Sequence, residues 1–392
     1  MSFPQYDAKL LALLDAQAES VLGVFEKKNY ARVEPSILQP ADVFLDRSGE
    51  EIRRRTFVLN DVSGTELCLR PDLTIPVCRM FLEGGAKVPA RLAYHGPAFR
   101  TQPNDPTRPA QFLQTGIECL GEKKGDAADL EVLALAVEGV RATGLTKFSV
   151  QLGDVGLFSA LIDALDIPPL WRGRLKRHFW RPDYFSELLT RLSGDGPKAT
   201  QAYLARLGQA ETGDTRAALE GLMDYLGATP DKPIPGGRTR EEIIDRLLEQ
   251  ANEAAAVRID KKLVTLIERV LSVSGGARDS MAALKKLFAS AGIKIGGPLA
   301  ALETRIDALE KLGLSGDQVR FAARFGRNME YYTGFVFELW SRDKEGPVQI
   351  AGGGRYDSLL RILGAQKDIP AVGCAIRAER VLAARKATGA LR

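Results

Sequence analysis

The side chains best suited to chemistry in this sequence are carboxylates, arginines, tyrosines and amides that recur in a few short segments. Such groups suit the binding of a free amino acid, because its ammonium binds a carboxylate and its carboxylate binds an arginine or an amide. The candidate binding residues are Asp72, Thr74, Arg100, Gln114, Glu118, Arg327, Tyr331, Tyr332 and Tyr356. No residue is predicted to be catalytic.

Gln114 and Glu118 lie four residues apart in a run that is typical of a β-strand. Side chains of a strand alternate between its two faces, so both should lie on the same face. Taken alone, Asp72 could also belong to a surface turn, and Arg327 to a basic surface stretch that contains Arg320 and Arg324. At the level of single residues these alternatives stay open.

Metal and nucleotide sites have little support in the sequence. The chain has two histidines, His95 and His178, for which we expect structural roles. The run Gly352-Gly353-Gly354 lacks the Lys-Ser/Thr pair of a phosphate-binding loop. We therefore predict no metal site and no cofactor.

The composition is that of an ordinary globular protein. The chain has 392 residues, of which 45% are hydrophobic and 27% charged, and its net charge of +4 is spread along the whole length. Nucleic-acid binding is therefore not indicated. With no signal segment and no apolar run of ~18 residues, we expect a cytoplasmic protein. The cysteines are expected to be buried free thiols: Cys68, Cys78, Cys119 and Cys374.

Hydrophobic periodicity predicts the elements that must position these groups. Residues 7 to 28 have the spacing of an amphipathic helix, and residues 31 to 38 that of a strand broken by Pro35. From 56 to 120, short β-rich runs alternate with turns, which favours an antiparallel sheet. Strand patterns return after Tyr331, and a last helix is predicted from Ile376 to Lys386.

The middle of the chain has a helical pattern, for example from Glu241 to Ala256 and from Lys261 to Val273. We predict a core in two parts, residues 1–160 and 319–392, separated by a mostly helical insertion at 161–318. The predicted linkers within the insertion are residues 194–197 and 229–237, which are rich in glycine and proline.

Four segments of the chain resemble, in order, the catalytic core of histidyl-tRNA synthetase, a class II aminoacyl-tRNA synthetase. They are Phe99-Arg100 with Gln114-Thr115-Gly116-Ile117-Glu118, Arg327-Asn328-Met329-Glu330-Tyr331-Tyr332, Gly352-Gly353-Gly354-Arg355-Tyr356-Asp357, and Gly373-Cys374-Ala375-Ile376-Arg377-Ala378-Glu379-Arg380. The resemblance implies an α+β fold with a class II synthetase-like antiparallel sheet flanked by helices. It also implies a homodimer, because Pro35 matches a proline of the family's dimer interface.

The same resemblance implies roles in a histidine pocket. Asp72 and Thr74 match the residues that hold the substrate ammonium, although most synthetases have a glutamate at the first position. Gln114 matches a glutamine that contacts the substrate backbone. The imidazole would bind Glu118 through one nitrogen and Tyr332 through the other.

Two arginines match family residues that contact the charged end of the substrate. Arg327 matches an arginine near the carboxylate and the adenylate phosphate, and Arg100 matches one that binds the α-phosphate.

Three departures from the synthetase pattern fall on the ATP site. Gln102 replaces a glutamate that contacts adenine, Ala110 replaces a loop arginine, and Arg377 replaces a glycine that the nucleotide approaches closely. Productive ATP binding is therefore not expected. The chain reaches Arg392 twelve residues after Arg380, so no anticodon-binding domain is expected.

The chain is also similar to a second family, the regulatory subunits of ATP phosphoribosyltransferase, which are synthetase paralogues of histidine biosynthesis. Members of that family resemble a synthetase core that ends after the last motif, and the segment Arg70-Pro71-Asp72-Leu73-Thr74 is similar to theirs. That resemblance implies a non-catalytic protein that senses histidine for feedback inhibition of the first step of the pathway. It also implies assembly with a short-form catalytic subunit in a hetero-oligomer, without tRNA or membrane partners. The alternatives are a histidyl-tRNA synthetase and a stand-alone amino-acid adenylating enzyme.

Overall fold

A computed structural model describes residues 4–45, 53–85, 87–102, 108–179, 182–193, 216–220, 241, 243–245, 247–248, 259–326 and 331–391. The chain divides into two compact units. The first contains Met1–Ala160 and Leu271–Arg392, and the second contains Leu161–Val270.

The first unit contains a nine-stranded and a three-stranded sheet. In chain order the strands are β1 (Ala31–Arg32), β2 (Leu38–Pro40), β3 (Phe57–Asn60), β4 (Glu66–Leu69), β5 (Ala90–Phe99), β6 (Gln111–Leu120), β7 (Ser149–Asp154), β8 (Ser274–Gly276), β9 (Val319–Ala322), β10 (Phe335–Arg342), β11 (Pro347–Arg355) and β12 (Ala371–Arg377).

Helices cover the sheets or form the second unit. In chain order they are α1 (Ala8–Glu26), α2 (Asp42–Leu45), α3 (Thr74–Glu83), α4 (Gly125–Ala142), α5 (Val155–Ala164), α6 (Pro169–His178), α7 (Pro182–Ser193), α8 (Lys261–Leu271), α9 (Ala277–Ser290), α10 (Gly296–Lys311), α11 (Leu359–Ile362) and α12 (Ala378–Ala387).

The large sheet has the strand order β1-β5-β6-β12-β11-β10-β7-β9-β8. Its five central pairings, from β5 to β7, are all antiparallel, whereas β1 pairs with β5 and β9 pairs with β7 in parallel. The predicted antiparallel sheet with flanking helices is thus confirmed, with parallel additions near both edges. The broken strand around Pro35 is also confirmed, because β1 joins the large sheet and β2 joins the small sheet, whose order is β2-β4-β3.

Helix α1 confirms the predicted amphipathic helix. The Asp7 side chain caps it by accepting a hydrogen bond from the Leu10 N–H at 2.7 Å. Its apolar face packs on α4, where Gly139 leaves room, since a Cβ there would lie 3.3 Å from Val21 Cγ1. The long helix therefore covers the sheet on the side where α4 lies.

The second unit starts where the insertion was predicted to start, but it ends at Val270 instead of residue 318. Residues 271–318 belong to the first unit because β8 pairs with β9 and β9 with β7. The sequence of β8 is Ser-Gly-Gly, which has no strand propensity, so helical periodicity alone governed the prediction there. The predicted linkers and most of the predicted helix from Glu241 to Ala256 lie outside the described residues.

The four cysteines are buried free thiols, as predicted. His95 is half-buried, and its Nδ1 lies 2.9 Å from the Thr115 hydroxyl. In the second unit, the His178 ring packs edge-on against Tyr184 at 4.6 Å between centroids. Among the described helices, none combines the length and the apolar character needed to cross a bilayer.

Candidate functional site

One cavity of the first unit brings together seven of the nine predicted binding residues. It is lined by Asp72, Thr74, Arg100, Gln114, Tyr331, Tyr332, Gly352, Tyr356, Gly373, Cys374, Ala375 and Arg377. The predicted residue Glu118 is not among the lining residues, but its carboxyl lies over Gly373, which is. Arg327 lies outside the described residues.

Strand pairing determines which side chains meet at the cavity. In the register of β6 and β12, Gln114 lies opposite Arg377, and Glu118 lies opposite Gly373. The sequence did not identify β12 as a wall of the cavity, although the residues from Gly373 to Arg377 were part of a recognised segment. Only the pairing of the two strands places that segment beside Gln114.

Two arginines hold the segment that carries Asp72. Arg70 is 1% exposed and donates hydrogen bonds to the carbonyls of Pro35 and Pro97. Arg100 donates through Nε to the Pro71 carbonyl at 2.7 Å. The segment just before Asp72 is therefore fixed by charge-assisted hydrogen bonds.

Asp72 lies immediately before α3, and its Oδ1 accepts a hydrogen bond from the Ile75 N–H at 3.2 Å. It is 3% exposed. The amino-terminal end of a helix favours a carboxylate, because the helix dipole is positive there. The site therefore holds a negative charge at its wall, which is what an ammonium group requires.

Gln114 has a buried polar atom without a partner beside the cavity. It is 4% exposed, and its Oε1 has no hydrogen-bond partner among the described residues. A buried polar atom without a partner costs about 1–3 kcal/mol. A ligand N–H in the cavity would remove that cost.

Three tyrosines form an aromatic wall of the cavity. The ring of Tyr331 lies 4.8 Å from that of Tyr332 and 5.6 Å from that of Tyr356, and the last two are 6.4 Å apart. The two contacts of Tyr356 are edge-to-face. Rings in this arrangement suit a flat aromatic ligand group and supply hydroxyls for its polar atoms.

Glu118 is completely buried beside this wall. Its carboxyl accepts hydrogen bonds from the hydroxyls of Tyr356, Thr74 and Tyr94. Burial outweighs these bonds and raises the pKa of Glu118 to about 8. The carboxyl is therefore mostly neutral at pH 7. Tyr94 was missed in the sequence, where nothing marked it apart from other strand residues.

Arg377 packs over the ring of Phe112, with 3.9 Å between its guanidinium carbon and the ring centroid. The guanidinium carbon of Arg100 lies 5.5 Å from the same centroid. Phe112 was also missed, although it lies two residues before Gln114 and so on the same strand face. Of the other two departures from the synthetase pattern, Gln102 pairs with Arg55 and Ala110 is buried. The Phe112 ring is thus covered by cationic side chains of the protein itself.

Arg355 and Asp357 flank Tyr356 and have structural contacts. Arg355 binds Asp129 through Nε and Nη2 at 2.9 and 2.6 Å, and binds Asp357 through Nη1 at 2.9 Å. Asp357 also accepts a hydrogen bond from the Ala371 N–H. The position of Tyr356 is therefore set by ion pairs on both sides.

This ion-pair network continues to α10. Arg305 is 5% exposed and binds Asp129 at 2.6 Å and Asp154 at 2.9 Å. Burial raises the pKa of Asp154, against the opposing effect of Arg305. Within the described ranges, His, Cys, Asp and Glu side chains form no group of three or more that could hold a metal ion.

Comparisons with known proteins agree on the family of this chain. The family model for histidyl-tRNA synthetase matches residues 10–229 and 237–381. The chain is 37% identical over 388 residues to the ATP phosphoribosyltransferase regulatory subunit of Rhizobium meliloti (strain 1021), covering 95% of this chain and 98% of that one. It is 36% identical over 375 residues to the protein of the same name from Sinorhizobium medicae (strain WSM419), covering 93% and 96% of the two chains.

Solved structures share the fold. One is an ATP phosphoribosyltransferase regulatory subunit/histidyl-tRNA synthetase from Bacillus halodurans, with a TM-score of 0.66 and 22% identity over 98% of this chain and 82% of that one. Another is a histidine–tRNA ligase subunit from Alicyclobacillus acidocaldarius, with a TM-score of 0.59 and 24% identity over 99% and 96%. The predicted class II synthetase-like fold is therefore confirmed.

Proposed function

The chain belongs to the family of ATP phosphoribosyltransferase regulatory subunits with a histidyl-tRNA synthetase-like fold, and we propose that it regulates the catalytic subunit by binding histidine in the cavity. The proposal is carried by the buried Gln114 Oε1, which lacks a partner inside a cavity that also holds a carboxylate, a guanidinium and an aromatic wall. Those groups match the ammonium, the carboxylate and the ring of one amino acid.

The cavity supports a specific orientation of the ligand. The ammonium binds Asp72 and Thr74, and Gln114 accepts from a ligand N–H. The imidazole lies against Tyr331, Tyr332 and Tyr356. A competitor whose polar atoms do not match those of the site would leave buried polar groups unpaired, and such mismatches allow strong discrimination. Arg327, matched on sequence alone, and Arg100 would bind the carboxylate.

Calorimetry with the purified chain tests the binding. We expect one histidine per chain, and Asp72→Asn should weaken it by about 1–3 kcal/mol, because a charge-assisted bond in a buried site is lost. Asp317→Asn is the matched control, since Asp317 is an exposed aspartate of the same unit. Equal affinities of the two variants would remove Asp72 from the site.

The regulatory role requires a partner, the short-form ATP phosphoribosyltransferase catalytic subunit. Mixing the two chains should give a larger species on a sizing column, and histidine should then inhibit the condensation of ATP with phosphoribosyl pyrophosphate. Binding can shift an assembly only if its affinity differs between two states, and such couplings are typically about 1–3 kcal/mol. Asp72→Asn should leave the assembly intact and raise the histidine concentration needed for inhibition. Inhibition that is equally sensitive with this variant would place the histidine site elsewhere.

An enzymatic role is the alternative. Arg377 covers Phe112, so a planar base has no free ring face to stack on at this side. We expect no histidine-dependent exchange of pyrophosphate into ATP and no charging of tRNA. Exchange well above a no-protein control would favour the synthetase-like alternatives.

Self-association has separate support in the small sheet. In its register, Leu38 and Phe57 both pair with Leu69, and Pro40 and Leu59 both pair with Leu67. These six residues occupy the face opposite Cys68, which is completely buried. Leu38 is 47% and Leu59 37% exposed, so the small sheet presents an apolar outer face that a second copy would cover.

Sedimentation of the isolated chain tests this homodimer. Leu38→Lys and Leu59→Lys should each favour the monomer, because a charge would be buried against apolar surface. Val62→Lys is the control, since Val62 is fully exposed in the turn between β3 and β4. A dimer that tolerates both sheet substitutions would place the interface elsewhere.

A further inference from the structure

One end of the cavity is formed by two residues on neighbouring strands, Gln114 of β6 and Arg377 of β12. They lie directly opposite each other in the antiparallel register, so their side chains leave the sheet on the same face. Both line the cavity. Gln114 is buried, whereas Arg377 is half-buried and can meet a ligand that enters from solvent.

Arg377 is the long side chain of this face of β12. The other cavity-facing residues at the same strand period are Gly373 and Ala375, which carry at most a methyl group. The floor of the cavity over β12 is therefore low until residue 377, where a guanidinium stands at its end. A ligand that lies along this floor meets a positive charge with one of its ends.

An aromatic ring positions that guanidinium. The guanidinium carbon of Arg377 lies 3.9 Å from the ring centroid of Phe112, which is 5% exposed and precedes Gln114 by two residues. A cation over a ring face is attracted by the ring quadrupole. An arginine held in this way presents a planar fork of N–H donors, which matches the two oxygens of a carboxylate.

The two opposite side chains do not satisfy each other. Within the described part of the chain, neither Arg377 nor any other residue donates a hydrogen bond to Gln114 Oε1. The amide oxygen therefore needs a donor, which the ammonium of an amino acid supplies in the orientation proposed above. The carboxylate is attached to the same carbon as the ammonium, so it must also lie close to Gln114.

Strand pairing makes Arg377 the cation beside Gln114. On its other side, Gln114 lies opposite Gly96 of β5, which has no side chain. Arg100 also lines the cavity, but its Nε donates to the Pro71 carbonyl at 2.7 Å. Its guanidinium carbon is 5.5 Å from the Phe112 centroid, farther than that of Arg377. Arg100 thus serves the fold with one of its donors, and Arg377 is placed for the ligand.

We propose that Arg377 binds the carboxylate of the amino acid, so that the cavity selects a ligand whose carboxyl group is free and ionised. A forked guanidinium–carboxylate pair recognises both the shape and the charge of its partner. An alcohol, an amide or an ester at this place offers no negative charge. This inference rests on the proposed binding of histidine in the cavity and adds to it the residue that reads the carboxylate.

Binding of histidine and of its carboxylate-free analogue histidinol separates this contact from a structural role. Arg377→Met removes the charge and keeps an unbranched side chain that can cover Phe112. By calorimetry, we expect it to weaken histidine by about 10- to 100-fold, the range for a hydrogen bond to a charged group, and histidinol by less than about threefold. Arg377→Lys should recover part of the loss for histidine, because it keeps the charge without the fork.

Arg320→Met is the matched control, since Arg320 is an exposed arginine of strand β9 in the same sheet. It should leave both affinities unchanged. If Arg377→Met weakens both ligands by the same factor, or leaves histidine affinity as it was, Arg377 does not bind the carboxylate and the inference is overturned. Histidine binding by the wild-type chain would then still support the proposed function. Absence of histidine binding by the wild-type chain would overturn both.

Discussion

Gly373→Ala should strongly destabilise the folded state. Its Cβ would lie 1.7 Å from Glu118 Oε2, 2.6 Å from Glu118 Cδ and 2.6 Å from the Ile117 carbonyl oxygen. The first two neighbours belong to a completely buried side chain, and the third is backbone of the paired strand. Neither can move without breaking hydrogen bonds.

The expected loss in the free energy of unfolding has two parts. Overpacking a well-packed core costs about 1–3 kcal/mol. Displacing Glu118 from its hydroxyl partners leaves buried polar groups unpaired, at about 1–3 kcal/mol each. We therefore expect a loss of about 3–5 kcal/mol, together with the loss of histidine binding. Gly373 is not among the glycines with positive φ, so the penalty comes from space and not from backbone strain.

Urea denaturation followed by circular dichroism measures this loss. Gly23→Ala is the matched control in the same unit, because a Cβ on Gly23 meets nothing within 4 Å. An alanine inside helix α1 should stabilise the chain by about 0.5–1 kcal/mol. If Gly373→Ala unfolds at the same urea concentration as the wild-type chain, Glu118 does not lie against residue 373.

Two further predictions concern buried charges. Arg305→Leu should cost about 3–5 kcal/mol of unfolding free energy, because Asp129 and Asp154 lose a buried partner. The cost should shrink as the pH falls, because burial raises the pKa of Asp154 and a protonated carboxyl does not need the arginine. Arg278→Leu, whose ion pairs are exposed, should cost less than about 1 kcal/mol. Because the pKa of Glu118 is about 8 in the folded chain and 4.5 as its ordinary value, its stabilising effect is complete below about pH 4.5 and is lost as the pH rises through 8. In urea titrations, the free energy of unfolding of Glu118→Gln should therefore rise relative to that of the wild-type chain by up to about 1.4 kcal/mol per pH unit across that window. A difference that does not change with pH would contradict a buried carboxyl with a raised pKa.

Strand periodicity predicted part of the site and no more. It placed Gln114 and Glu118 on one face of β6, and the structure agrees that both belong to one continuous strand. It could not predict that the Glu118 carboxyl lies over Gly373 of β12, because the partner of a strand is set by tertiary pairing. Similarly, the helical pattern of α9 and α10 was clear, but their membership of the first unit depends on the pairing of β8 and β9.

The two ends of the cavity differ. Arg377 covers Phe112 at one end, and at the other Tyr331, Tyr332 and Tyr356 line the place proposed for the ring. Tyr356, at that second end, is held by Arg355, which shares Asp129 with Arg305 of α10. A ligand that pulls on the Tyr356 hydroxyl therefore acts on a residue whose neighbours are ion-paired to a helix outside the cavity. Such a connection is a physical basis for a binding site whose effect is felt by a partner, since differential affinity needs contacts that change with the state of the assembly.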